Sequence, residues 1–160
     1  MCVRFNRASR HEAICLVFKT VSWLANGIFW YALMLALLLA FGRQAAPAVL
    51  HMVATGLVCT LLYKVLKRKI LRPRPYQIHS DIVCVTTPLD QFSFPSGHTL
   101  HAVAFSIVAV AYYPWLVLLL LPFTVLTALS RVVLGLHYPS DVLVGAAIGV
   151  LIATSALCLV

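Results

Sequence analysis

Three residues near the C-terminus combine the side-chain types that phosphoryl transfer requires. Arg131 is followed by five residues and then His137, and three more residues lead to Asp141. An arginine can clamp a phosphate, a neutral imidazole can attack phosphorus, and a carboxylate can fix the tautomer of that imidazole. Pro139 suits the first turn of a helix, which would bring His137 and Asp141 to the same helix start. The spacing predicts a nucleophile with its orienting group; a simple His–Asp helix cap is the alternative.

A second cluster, Pro95-Ser96-Gly97-His98, leads directly into an apolar stretch. Ser96 is a favourable helix N-cap, and Gly97 allows a ligand to approach the backbone closely. The first amides of a helix form an anion site, and His98 could donate a proton to a leaving oxygen. A capped helix with an incidental histidine is the alternative interpretation.

A third cluster contains Lys67 and Arg74, which follow another apolar stretch. Pro73 and Pro75 force the chain out of a helix, because proline donates no backbone hydrogen bond and restricts the residue before it. Lys67 is thus expected at a helix end and Arg74 on the turn beyond it. The two cations either bind an anionic group or end a membrane helix beside lipid phosphates.

The composition indicates the elements that position these clusters. Apolar residues make up 62% of the 160 residues and charged residues 10%, which is typical of an integral membrane protein. We predict an all-α fold, a polytopic membrane helical bundle with about five transmembrane helices, at 21–41, 46–66, 99–113, 115–130 and 142–160. Residues 1–20 are predicted as a basic N-terminal segment that forms an interfacial helix, and 21–160 as a single transmembrane domain.

Gly145 and Gly149 form a small-xxx-small pair in the last predicted span. We interpret the pair as internal helix packing, with a homodimer contact as the alternative. The stretch 77–91 is predicted as a loop over the clusters. No metal or cofactor is expected, because the four acidic residues are too few and too scattered for a two-metal carboxylate site.

The charge is strongly positive, with 12 Lys and Arg against four Asp and Glu. Two predicted spans separate the N-terminus from Lys67, so the basic residues of both regions lie on one membrane face and Arg43 lies opposite. The positive-inside rule makes that face cytoplasmic, which places the clusters on the cytoplasmic side of a bacterial inner membrane. No nucleic-acid partner is expected, because the basic residues lack interleaved aromatic platforms.

Together the three clusters resemble the type 2 phosphatidic acid phosphatase (PAP2) family, which is related to the vanadium haloperoxidases. The family signature is Lys, six residues, Arg-Pro; then Pro-Ser-Gly-His; then Ser-Arg, five residues, His, three residues, Asp. This chain matches it at Lys67 with Arg74-Pro75, at Pro95-Ser96-Gly97-His98, and at Ser130-Arg131 with His137 and Asp141. The resemblance implies a PAP2/haloperoxidase-like core. Family members commonly have three spans before the first motif, whereas two are predicted here.

The resemblance also implies a function, that of a membrane lipid phosphate phosphatase with a metal-independent phosphohistidine intermediate. His137 would be the nucleophile, Asp141 its orienting group and His98 the proton donor. The implied phosphate-binding residues are Lys67, Arg74, Ser96, Gly97 and Arg131. Polyprenyl diphosphate, phosphatidic acid and similar lipids are the candidate substrates. The alternatives are a non-catalytic lipid-phosphate binding or transport protein, and a phosphotransferase that uses the same site.

Overall fold

The computed structural model describes residues 2–88 and 90–159. Within these ranges the regular structure is entirely helical, which confirms the predicted all-α class. The helices are α1 (Cys2–Asn6), α2 (Glu12–Leu24), α3 (Ile28–Phe41), α4 (Ala46–Ile70), α5 (Pro75–Ile78), α6 (Gly97–Tyr112), α7 (Val117–Val133) and α8 (Pro139–Leu157).

Three helical stretches of the described residues are long and apolar enough to cross a bilayer, namely Ile28–Ile78, Pro114–Val133 and Pro139–Leu157. The first stretch contains both α3 and α4, joined by the short 3-10 helix Gly42–Ala45. The helix α6 is apolar but shorter. The five apolar helices α3, α4, α6, α7 and α8 correspond in position to the five predicted spans, although α3 and α6 are short.

The first predicted span, 21–41, is wrong in one respect, because the chain breaks into two helices there. The helix α2 ends at Leu24, and α3 begins at Ile28 after Gly27, whose φ of 122° is open to glycine but costly for other residues. Its 14 residues make α3 about 21 Å long, short of the ~30 Å hydrocarbon core. Near this break, Asn26 contacts His98 of α6 and Ser22 contacts Arg131 of α7.

The central helix is α6, which packs against α4, α7 and α8. Two glycines of α8 allow α6 and α8 to pack closely. A Cβ on Gly145 would lie 2.7 Å from the carbonyl oxygen of Ser96, and a Cβ on Gly149 would lie 2.6 Å from the carbonyl oxygen of Leu100. Both glycines are buried within the chain. The prediction that this pair serves internal packing is confirmed.

Aromatic side chains fix α3 on the bundle despite its short length. The rings of Phe29 and Phe123 stack with centroids 3.8 Å apart, and Trp30 lies 5.1 Å from the ring of Phe105. These contacts join α3 to α7 and to α6. They stabilise the position of α3, since aromatic pairs contribute both buried apolar area and a specific geometry.

The N-terminal segment is tied to the same end of the bundle as the loop after α5. The buried Asn6 side chain donates to the carbonyl oxygens of Val83 (3.0 Å) and Val133 (2.9 Å), and its Oδ1 accepts from the amide of Val83 (2.9 Å). The N-terminus, the loop that follows α5 and the end of α7 therefore lie together.

Candidate active site

A cavity of about 780 Å³ opens between α3, α4 and α6. It lies at the end of the bundle where the N-terminus, the loop after α5 and the end of α7 come together. Six of the eight predicted site residues line it: Lys67, Arg74, Gly97, His98, Arg131 and His137. The remaining two, Ser96 and Asp141, are fully buried next to it. The rest of the lining includes an apolar group, Trp30, Met34, Val53, Leu57 and Phe105. The structure thus brings three distant sequence clusters to one cavity that is cationic in one part and apolar in another.

The carboxylate of Asp90 bridges two of the cations. Lys67 Nζ donates to both carboxylate oxygens of Asp90 at 2.6 Å, and Arg74 Nη2 donates to its Oδ1 at 2.7 Å. Burial acts to raise the pKa of Asp90, but the hydrogen bonds and charges of Lys67 and Arg74 outweigh it and lower that pKa below its usual value. Asp90 is therefore ionised at neutral pH. Sequence reasoning missed this residue, whose only signal was its rarity as one of four acids.

The third cation, Arg131, retains a free donor in a buried position. Its Nη1 donates to the Ser22 hydroxyl at 2.5 Å, whereas its Nε has no partner among the described residues. Leaving a buried, charged N–H group without an acceptor is costly. A bound anion would supply the missing acceptor.

His137 lies in the turn between α7 and α8, and Asp141 lies in the first turn of α8, as predicted. Their closest atoms, Nδ1 and Oδ2, are 3.7 Å apart, which is too long for a hydrogen bond. His137 Nδ1 consequently has no partner among the described residues. Catalytic hydrogen bonds are often loose without substrate and tighten when it binds, so this geometry is compatible with the predicted pair.

Asp141 is held by two other donors. Its Oδ2 accepts from the backbone amide of Tyr138 at 2.9 Å, and its Oδ1 accepts from Arg72 Nη1 at 2.7 Å. The guanidinium of Arg72 lies over the Tyr138 ring, 4.1 Å from its centroid. Sequence reasoning missed Arg72, because the Lys67 to Arg74 spacing of the motif directs attention to the second arginine of the pair.

The imidazole of His137 is surrounded by positive charge. Burial, followed by the charges of Arg131, Arg74 and Lys67, lowers its pKa well below the usual value. The ring is therefore neutral at neutral pH. A neutral imidazole has the free electron pair that a nucleophile needs.

Ser96 stands at the N-cap of α6 as predicted, but its hydroxyl does not cap the helix. The hydroxyl pairs with Thr99 Oγ1 at 2.9 Å, and the Ser96 amide donates to the Asp141 carbonyl oxygen at 3.1 Å. The first amides of α6, including that of Gly97, lack acceptors within their own helix. The helix start therefore offers backbone donors beside the cations, while the Ser96 side chain is engaged elsewhere.

His98 is bound by a residue that sequence reasoning did not select. Its Nε2 lies 2.5 Å from Oδ1 of Asn26, in the break between α2 and α3. The neighbouring His101 bonds instead to Thr60 Oγ1 (3.0 Å) and to the Gly97 carbonyl oxygen (2.8 Å), as expected for a packing residue.

The structure is an all-helical bundle of apolar, membrane-type helices with a cationic cavity that three histidines line. The pattern of the PAP2 superfamily matches residues 44–160, and the chain belongs to this superfamily. The family prediction is thereby confirmed. Ser22 and Asn26 lie outside the matched region.

Relatives and solved structures support this membership. Undecaprenyl-diphosphatase BcrC of Bacillus subtilis (strain 168) is 32% identical over 123 residues, which cover 76% of this chain and 63% of that protein. The chain spans less than two thirds of the length of the curated relatives it matches first.

Two crystal structures share the fold at 27% identity. One is the transmembrane PAP2 type phosphatidylglycerolphosphate phosphatase from Bacillus subtilis, with a TM-score of 0.79 over 99% of this chain and 83% of that one. The other is Aquifex aeolicus LpxE, with a TM-score of 0.83 over 98% of this chain and 92% of that one.

Proposed function

We propose that this protein is a lipid phosphate phosphatase that hydrolyses a phosphate or diphosphate group at the bilayer surface through a phosphohistidine. The observation that carries the proposal is the convergence of Lys67, Arg74, Arg131, His98 and His137 on one cavity with a partly apolar lining. The nucleophile, the proton donor and the cations of the reaction thus share one space.

In this mechanism the substrate phosphate is bound by Lys67, Arg74, Arg131 and the first amides of α6. These donors stabilise the charge that spreads over the phosphoryl oxygens in the transition state. Neutral His137 attacks phosphorus in line with the leaving group, while Asp141 stabilises the positive charge on the ring. His98 protonates the leaving oxygen, and the same ring then accepts a proton from the water that hydrolyses the phosphohistidine.

The apolar part of the cavity supports a substrate with a hydrocarbon tail. Trp30, Met34, Val53, Leu57 and Phe105 lie on the apolar helices α3, α4 and α6, and they line the same cavity as the cations. Two of the similar proteins are named for different lipid substrates, an undecaprenyl diphosphate and a phosphatidylglycerolphosphate. Polyprenyl diphosphate, phosphatidic acid and related lipids are therefore the substrate class.

The decisive experiment measures phosphate release by the purified protein in detergent, with a chelator present, from a panel of lipid phosphates. We expect release by the wild type and loss of at least about 10³-fold in His137→Asn, because the nucleophile is removed. His11→Asn is the matched control, since His11 is exposed at the start of α2 and does not line the cavity. Equal rates in wild type and His137→Asn would refute the proposal, and loss of release on chelation would refute a metal-independent reaction.

The same assay separates the alternatives. Phosphate binding without release would indicate a lipid-phosphate binding or transport protein. Transfer of the phosphate to a second lipid, in place of release, would indicate a phosphotransferase.

A further inference from the structure

The region of the break between α2 and α3 places two side chains against the proposed catalytic residues. Ser22 accepts from Arg131, and Asn26 contacts His98, each at 2.5 Å. Both residues precede the region 44–160 that matches the superfamily. The chain before residue 44 thus contributes contacts to the site that the three sequence motifs do not contain.

We propose that Asn26 is a positioning residue for the general acid, His98. The carboxamide oxygen of Asn26 holds the ring with a proton on Nε2 and leaves Nδ1 to deliver a proton to the leaving oxygen. This inference rests on the proposed phosphatase function.

The hydrogen-bond chemistry of the contact defines the tautomer. A carboxamide oxygen can only accept, so the Nε2 atom of His98 must carry the proton in this contact. Among the described residues the His98 ring hydrogen-bonds through Nε2 to Asn26, and no hydrogen bond involves its other nitrogen, Nδ1. One nitrogen is therefore occupied by Asn26 and the other is available to substrate.

The surroundings of His98 make this acceptor important. The charged and titratable groups near the ring include Lys67 of α4, His101 of α6, Arg131 of α7 and His137 of the following turn. Each of these four groups is a cation or an imidazole. The carboxylate of Asp90 lines the same cavity but is bonded to Lys67 and Arg74. The oxygen of Asn26 is a favourable partner for a ring that must carry positive charge before it gives a proton away.

The proton and electron balance of the first step follows from this arrangement. A bond forms between His137 and phosphorus while the bond from phosphorus to the leaving oxygen breaks, and its electron pair stays on that oxygen. The leaving oxygen takes the proton from Nδ1 of cationic His98. The ring becomes neutral and keeps its other proton on Nε2, which donates it in a hydrogen bond to Asn26 Oδ1. In the second step the water oxygen forms a bond to phosphorus, and the bond from phosphorus to His137 breaks with its electron pair returning to the His137 nitrogen. The neutral Nδ1 of His98 accepts the proton of that water.

The test compares two tail-matched substrates that differ in their need for a proton. Dodecyl phosphate releases an alkoxide, which requires protonation, whereas a nitrophenyl phosphate with the same dodecyl chain releases a stable phenolate. The measured quantity is kcat/KM, which reports steps only as far as release of the leaving group. For Asn26→Leu we expect kcat/KM to fall about 10- to 100-fold on dodecyl phosphate and less than about threefold on the aryl ester.

Two further variants distinguish positioning from a structural effect. Asn26→Asp retains an acceptor oxygen at the same place and is expected to keep kcat/KM on dodecyl phosphate within about threefold of the wild type. Ser22→Ala acts through Arg131, which binds the phosphate common to both substrates, so it should lower both values by the same factor. Thermal melting of each variant checks that the fold is retained.

The outcomes are separable from those of the phosphatase proposal. Suppose that the wild type hydrolyses both esters. If Asn26→Leu then lowers kcat/KM equally for both, or lowers neither value, the positioning role is wrong. An Asn26→Asp variant as impaired as Asn26→Leu would also contradict it. If the wild type hydrolyses neither ester and no lipid phosphate of the panel, the phosphatase proposal itself fails.

Discussion

Asp90 occupies the space between two cations that a substrate phosphate would need. Its carboxylate accepts from Lys67 and Arg74, whose side chains are 9% and 2% exposed. A phosphate bound to the same donors must displace Asp90 or share them with it. We predict that Asp90→Asn lowers the inhibition constant of inorganic phosphate several-fold, because the competing negative charge is removed.

The same substitution should reduce stability, because two buried cations lose their carboxylate. Asp90 is 37% exposed, so solvent screening limits the loss to about 1–2 kcal/mol. Inhibition assays and thermal melting measure the two effects, with Asp81→Asn as the control, since Asp81 is exposed in the same loop. Weaker phosphate inhibition in Asp90→Asn would show that Asp90 positions the cations and does not compete for them.

The buried imidazole of His137 makes a prediction about pH. Its pKa lies well below the ordinary value because of burial and the surrounding cations, so the folded protein binds a proton here less readily than the unfolded chain. The corresponding stability is present above about pH 6.5 and is lost as pH falls below it. We expect the melting temperature to fall more between pH 7 and pH 5 in the wild type than in His137→Asn.

The acidic limb of kcat/KM should also lie below about pH 6.5, since His137, the proposed nucleophile, stays neutral to lower pH than a free imidazole. A pH-rate profile of the wild type on its best substrate measures this limb. An acidic limb above pH 7, with equal melting shifts in both proteins, would contradict the assignment of a low pKa to His137.

At the scale of elements, the contact between α6 and α8 sets the position of the site. The first residues of α6 carry Ser96, Gly97 and His98, and Gly145 faces the Ser96 carbonyl oxygen directly. We predict that Gly145→Leu destabilises the protein by several kcal/mol and lowers activity, because a side chain would push α6 away from the cations. The control is Ala147→Leu, at an exposed position of α8.

Thermal melting and phosphate release measure these effects, and the mass of the detergent-solubilised particle tests the alternative. If Gly145 mediated a homodimer contact, Gly145→Leu would halve that mass without the large loss of stability. The homodimer remains a prediction without a defined surface, since both glycines of the pair are used inside the chain.

The helices themselves show how far sequence reasoning reaches. Motifs that lie at helix ends, such as Lys67 with Arg74 or His137 with Asp141, could be predicted because capping and proline signals act over a few residues. The break at Gly27 could not, since hydropathy measures apolar content and not the direction of the backbone. Asp90, Arg72, Ser22 and Asn26 were missed for a related reason: their partners are 16 to 109 residues away along the chain.

The whole molecule is electrically asymmetric along the bundle axis. Every Lys and Arg except Arg43 belongs to the N-terminal segment, the end of α4 and the loop after it, or the end of α7, which lie at the end of the bundle that contains the cavity. Three of these cations, Lys67, Arg74 and Arg131, bind phosphate in the proposed mechanism, so they are set aside as evidence about membrane insertion. Without Lys67, Arg74 and Arg131, eight Lys and Arg remain at this end against one at the other.

This excess predicts that the cavity opens on the cytoplasmic face, because short basic segments are retained there during insertion. The test labels single cysteines from each side of the membrane with an impermeant thiol reagent, after the five native cysteines have been replaced. Ser80→Cys reports the cavity end and Gln44→Cys the opposite end, since both positions are exposed. We expect labelling of position 80 only after the inner face becomes accessible and of position 44 from outside; the reverse pattern would place the reaction on the outer face and restrict its substrates to lipids present there.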